Sequence, residues 1–324
     1  MSTIYKTERG AAAIQQRYRE ALTAWPVPAE ELRIPTREGE TFVVVSGPPD
    51  APPLVLLHGS GANATMWLGD IATWATDFRV YAVDIIGEPG GSAPVRPPLG
   101  SEAYARWLDD VLEAVGVEQF SLVASSLGGW FALDYVTRRP GRVTKLALLC
   151  PSGIGKQTMG WLPKALFLRM FGSWGVRRTA RLVTGLHTPE TDAALDHVVF
   201  TFATFNPRTE RLPIFSDDQL RGLTMPLLVI VGARDVMLDS AATADRIRRC
   251  APHATVHVLP ETGHAILDQT TTVADFLASR PRAPRSIRQR RRRRGIPRAR
   301  GRAVAAPSRR RREVGRRRNS RSLP

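Results

Sequence analysis

The chain has 324 residues, 43 % of them hydrophobic and 23 % charged, with two cysteines, six histidines and a net charge of +16. That size and composition suit one large α/β domain or two small ones with a full core, and exclude a disulfide-built scaffold. The N-terminus is charged throughout and no apolar run is long enough to span a bilayer, so the expectation is a cytoplasmic protein without a membrane partner, its Cys150 and Cys250 reduced and buried. The charge is unevenly placed. Residues 281–324 hold 19 Arg, no Lys and one acid, Glu313, so they carry the whole positive excess and leave residues 1–280 nearly neutral. Nothing in the body suggests a nucleic-acid binder.

In chain order, residues 7–24 read as a helix with Ala11, Ile14, Tyr18 and Leu22 at helical spacing, ended by Pro26 and Pro28. Glu31–Pro35 and Thr41–Ser46 form a hairpin around Arg37-Glu38-Gly39. A rhythm of buried strands and helices follows. Strands are expected at Leu54–Leu57, Val80–Ile85, Phe120–Ala124, Val143–Leu149, Leu227–Val231 and Ala254–Leu259. Helices are expected at Ser101–Val115, Gly128–Arg138, Ser240–Arg249 and Thr272–Ala278. The alternation implies a mostly parallel sheet covered by helices on both faces. It lapses over 151–223, a stretch rich in Trp, Phe and Met, which reads as a helical lid inserted between two strands. The division is therefore a core of 1–150 and 224–280, a lid of 151–223 and an Arg-rich tail of 281–324, too poor in large apolar residues to fold around a core.

Ala124-Ser125-Ser126-Leu127-Gly128 lies at a strand–helix junction. A nucleophile on so tight a turn needs small residues two places before and after it, a condition that Ala124 and Gly128 meet for Ser126. For Ser125 the same places hold Val123 and Leu127, which are too large. A serine hydroxyl needs a base, and His264, in Gly263-His264 after the last strand, is the candidate. Asp235, in the turn after Leu227–Val231, would hold the His264 tautomer, with Asp239 as the alternative acid. An oxyanion would need two backbone donors, the amide of Leu127 and that of Ser60 in the loop His58-Gly59-Ser60-Gly61. A phosphate loop is disfavoured there, because no Lys-Ser/Thr pair follows the glycines.

With these residues in view, the chain resembles the α/β-hydrolase superfamily over about residues 30–280, and in particular bacterial carboxylesterases of the naproxen-ester hydrolase type. The resemblance rests on Pro26–Gly59, Thr65-Met66-Trp67, Tyr81–Gly87 and the serine, acid and histidine turns. It implies an α/β-hydrolase fold, a Ser126–His264–Asp235 triad, Ser60 and Leu127 as oxyanion amides, and ester cleavage with no metal or organic cofactor. Two departures are Ala124, where those esterases tend to carry Gly, and Asp235, where they tend to carry Glu. The apolar lid, with Trp130 and Phe131 beside the elbow, points to a hydrophobic small-molecule ester, although those two rings also suit the core. A C–C bond hydrolase, a lactonase, a cofactor-free haloperoxidase and a non-catalytic ligand-binding protein share the same features. The runs Arg290–Arg294 and Arg309–Arg312 would bind polyanions non-specifically by counterion release, or else represent a run-on extension.

Overall fold

The computed structural model describes residues 4–279. The 281–324 tail, with the disorder and polyanion binding expected of it, lies outside the described residues. Helix α1 (Glu8–Thr23) starts where the Thr7 side chain accepts from the Gly10 amide. The hairpin β1 (Ala29–Thr36) and β2 (Gly39–Ser46) leads to β3 (Pro53–Leu57), the short α2 (Ile71–Trp74) and β4 (Arg79–Val83). Then follow α3 (Ala103–Ala114), β5 (Phe120–Ser125), α4 (Leu127–Arg138) and β6 (Val143–Leu149). Between β6 and β7 the chain adds no strand to the sheet; it forms α5 (Leu162–Arg169), α6 (Gly172–Thr184), α7 (Asp192–Thr204) and α8 (Asp217–Arg221). The last elements are β7 (Leu227–Gly232), α9 (Ser240–Cys250), β8 (Thr255–Leu259) and α10 (Thr270–Ala278).

The eight strands lie in the order β1-β2-β4-β3-β5-β6-β7-β8. Only β1–β2 and β2–β4 pair antiparallel among the described residues; the others pair parallel. Alternation along each central strand divides the core in two. Val55 and Leu57, Leu122 and Ala124, Leu146 and Leu148, and Val229 and Val231 pack with residues of α3, α4, α8 and α9. Leu54 and Leu56, Val123, Ala147 and Leu149, and Leu228 and Ile230 pack on the other face with residues of α1, α2 and α10. That is why these strands read as continuous apolar runs, and the fold is the α/β arrangement expected, with helices on both faces.

Three local differences have physical reasons. Strand β4 ends at Val83 rather than Ile85, because the buried Asp84 carboxylate takes the Ala64 and Gly91 amides at 2.7 and 2.6 Å and turns the chain out of the sheet. Helix α2 and the turn Ala64–Trp67 span four residues each, too few for a helical period to register. Trp130 and Phe131 belong to the core rather than to a cavity wall.

Helix α4 starts hard against the end of β3. A Cβ on Gly128 would stand 2.4 Å from the Leu57 carbonyl oxygen and 2.5 Å from that of His58, backbone atoms that cannot step aside. Gly128→Val is therefore expected to lower stability by about 1–3 kcal/mol or more. Urea unfolding of the purified variant measures this, and an unchanged midpoint contradicts the packing described.

Candidate active site

Ser126 sits between β5 and α4 with φ 50° and ψ −111°. A non-glycine residue held there stores roughly 1–3 kcal/mol of backbone strain and persists only where its surroundings enforce it. The enforcing contacts are the Ser126 amide, which donates to the Leu149 carbonyl at 2.9 Å, and Gly128 against β3. The turn lifts the Ser126 hydroxyl to 2.9 Å from His264 Nε2. His264 Nδ1 lies 2.7 Å from Asp235 Oδ2. Asp235 Oδ1 accepts the Met237 and Leu238 amides at 2.7 and 3.1 Å, so both oxygens of this fully buried carboxylate are engaged. With Asp235 accepting at Nδ1, the proton of a neutral His264 ring sits on Nδ1 and Nε2 faces the serine as an acceptor.

The acid and histidine turns are brought together by two glycines. A Cβ on Gly232 would meet the Gly263 and Thr262 carbonyl oxygens at 2.1 and 2.3 Å. The Arg234 amide donates to the Thr262 carbonyl at 2.9 Å, which fixes the spacing of the two loops. Asp239, the alternative acid, instead caps α9 by accepting the Ala242 amide at 2.9 Å.

The His58–Gly61 loop passes beside the serine, since a Cβ on Gly59 would lie 3.5 Å from Ser126 Cβ. His58 is wholly buried and burial lowers its pKa to about 4, so the ring is neutral. Its Nε2 accepts from the Ile85 amide at 2.9 Å and its Nδ1 donates to the Gly59 carbonyl at 2.8 Å, which ties the loop to the end of β4. Among the described residues neither the Ser60 nor the Leu127 amide has a hydrogen-bond partner. Leu127 is the first residue of α4, where a free N–H and the positive end of the helix dipole coincide.

Three neighbours of the site carry no sequence motif. Glu88, 1 % exposed, accepts the Gly61 amide at 2.8 Å and the Ser60 hydroxyl at 3.3 Å through Oε2. Burial raises its pKa to about 7, against the lowering effects of the Gly61 amide, Arg96 and Arg208. Arg208, from the segment between β6 and β7, places Nε 3.9 Å from Glu88 Oε1. Cys150, a free buried thiol with φ 41°, holds its sulfur 4.0 Å from His264 Nε2 and 3.9 Å from the Ser125 hydroxyl. Burial pulls the His264 pKa down; the Cys150 sulfur and the Asp235 carboxylate outweigh it, leaving that pKa above its ordinary value.

The chain matches the model of the alpha/beta hydrolase family over residues 54–276. It is 34 % identical over 274 residues to the uncharacterized carboxylesterase nap of Bacillus subtilis, covering 80 % of this chain and 88 % of that one. Carboxylesterase YbfK of Bacillus subtilis is 28 % identical over 260 residues, covering 78 % and 87 %. Among solved structures, naproxen esterase from Bacillus subtilis superposes with a TM-score of 0.72 at 30 % identity, over 84 % of this chain and 98 % of that one. With the fold, the serine turn and these matches agreeing over most of its length, the chain belongs to the alpha/beta hydrolase family.

Proposed function

We propose that the protein cleaves small carboxylic esters through an acyl-enzyme formed on Ser126. The observation that carries this reading is the continuous chain of short contacts from Ser126 Oγ through the His264 ring to Asp235. The carboxylesterase relatives, at 28 and 34 % identity over most of their length, support ester cleavage in particular.

In the proposed reaction His264 Nε2 takes the Ser126 proton as Oγ bonds to the ester carbonyl carbon. The carbonyl oxygen, now an oxyanion, is held by the Ser60 and Leu127 amides. His264 returns its proton to the leaving alcohol as the C–O bond breaks. Water, deprotonated by His264, attacks the acyl-serine and releases the acid and Ser126. Asp235 keeps the ring oriented and stabilises the imidazolium without itself taking the proton. Glu88 positions the donor loop, because the Gly61 amide and the Ser60 hydroxyl both end on its carboxylate.

Ser126→Ala is expected to lower kcat for a short p-nitrophenyl ester by roughly four to six orders of magnitude. Wild-type activity in that variant would remove Ser126 from the reaction. The pH profile supplies a second test. Only neutral His264 accepts a proton, so activity falls as pH drops through the His264 pKa, and that limb should lie above the ordinary imidazole value of 6.5. Asp235→Asn removes an interaction that raises this pKa, so the limb of its residual activity should move to lower pH, with kcat down by about 10⁴. A limb unmoved by Asp235→Asn contradicts the pairing.

A further inference from the structure

We propose that the α5–α6 hairpin docks peripherally on an anionic lipid surface. The apolar face there has no cover among the described residues. Leu166, Phe167, Met170 and Trp174 are between 57 and 73 % exposed, and Phe171 is 52 % exposed beside them. Phe167 lies on α5, Met170 and Phe171 at the junction of the two helices, and Trp174 in the first turn of α6. The rings form a continuous ladder, with Phe167 to Phe171 centroids 5.4 Å apart and Phe171 to Trp174 centroids 6.0 Å apart. An exposed patch of this kind marks an interaction site.

Charge selects the occupant. Residues 135–189 contain no Asp or Glu. Arg177 and Arg181 of α6 are paired with Asp192 and Asp196 of α7. Lys164, Arg169 and Arg178 are exposed, have no carboxylate partner among the described residues, and each lies in sequence within four residues of Phe167, Phe171 or Trp174. Large apolar side chains with a basic rim and a tryptophan suit the headgroup boundary of an anionic leaflet. A second copy of this chain fits less well, because a twofold contact through the patch would set these unpaired cations against their own copies.

Docking would also bear on the site. Helix α6 has 13 residues, about 20 Å, with Trp174 in its first turn. At the far end the Thr184 carbonyl accepts the Ala265 amide at 2.8 Å, and Gly185, at φ +80°, packs against Gly263. The helix that carries part of the apolar ladder therefore ends on the loop that holds His264. No helix among the described residues is long and apolar enough to cross a membrane. The contact is with the surface, and it departs from the sequence expectation of no membrane partner because exposure of this face is visible only in the fold.

The test uses the full chain with vesicles of phosphatidylglycerol or phosphatidylcholine bearing brominated acyl chains, which quench tryptophan that enters them. Phosphatidylglycerol vesicles are expected to quench a fluorescence component that Trp174→Phe removes, and phosphatidylcholine vesicles to quench it several-fold less. Phe167→Ser combined with Met170→Ser should weaken that quenching at least tenfold while leaving hydrolysis of a water-soluble short ester within twofold. Vesicle retention without Trp174-dependent quenching would assign the binding to residues 281–324 and overturn the proposal. A concentration-dependent dimer that the same two substitutions abolish, seen by sedimentation equilibrium, would overturn it too. The readout is fluorescence, so failure of the esterase reading would leave it untouched.

Discussion

The closeness of α4 to the carbonyl end of β3 governs the rest of the site. With only a hydrogen where a Cβ would strike the Leu57 and His58 carbonyls, Gly128 lets the first turn of α4 settle onto the sheet. The chain then has no room for an ordinary turn, and Ser126 takes a φ of 50°. Its strain is held by packing of a strand buried on both faces, a part of the molecule where displacement is costly. The same approach leaves the Leu127 amide unpaired at a helix start, beside the loop that carries the Ser60 amide. One steric fact thus positions a hydroxyl and an unpaired amide.

The histidine side of the site repeats the device with Gly232 and Gly263, whose close contact sets the acid turn against the histidine turn. The segments around Gly61, Ala64 and Gly91 rest instead on buried polar groups. Asp84 and Glu88 are both at most 1 % exposed, and burial raises their pKa values to about 6 and about 7. Such groups are costly to desolvate, and the amides of Ala64, Gly91 and Gly61 that end on them offset part of that cost. Their return is geometric: each carboxylate holds a loop that no regular secondary structure restrains.

Much of this was legible in the sequence because the constraints are local. A strand buried on both faces shows as an apolar run, and a tight elbow shows as small residues on either side of a serine. Ser126, His264 and Asp235 could therefore be named from spacing and chain order, and the structure brings those three side chains within hydrogen-bonding distance. Asp235 and Asp239 differ little as letters, and only the fold assigns Asp239 to a helix cap. Glu88 and Cys150 were not visible, because each reaches the site from an element whose own pattern says nothing of the serine. The exposed ladder of Phe167, Phe171 and Trp174 read simply as lid, since a sequence records that a residue is apolar but not whether anything covers it.

The most direct measurement is the mapping of a covalent adduct. A fluorophosphonate reacts preferentially with a serine hydroxyl activated by a base, so it reports the nucleophile and its base together. Incubation of the full chain with such a reagent, followed by peptide mass spectrometry, should place one adduct per chain on Ser126, with the rate of labelling strongly reduced in His264→Ala. An adduct on Ser125 or another residue, or ester hydrolysis that continues with Ser126 unlabelled, would contradict the assignment of Ser126 as the nucleophile.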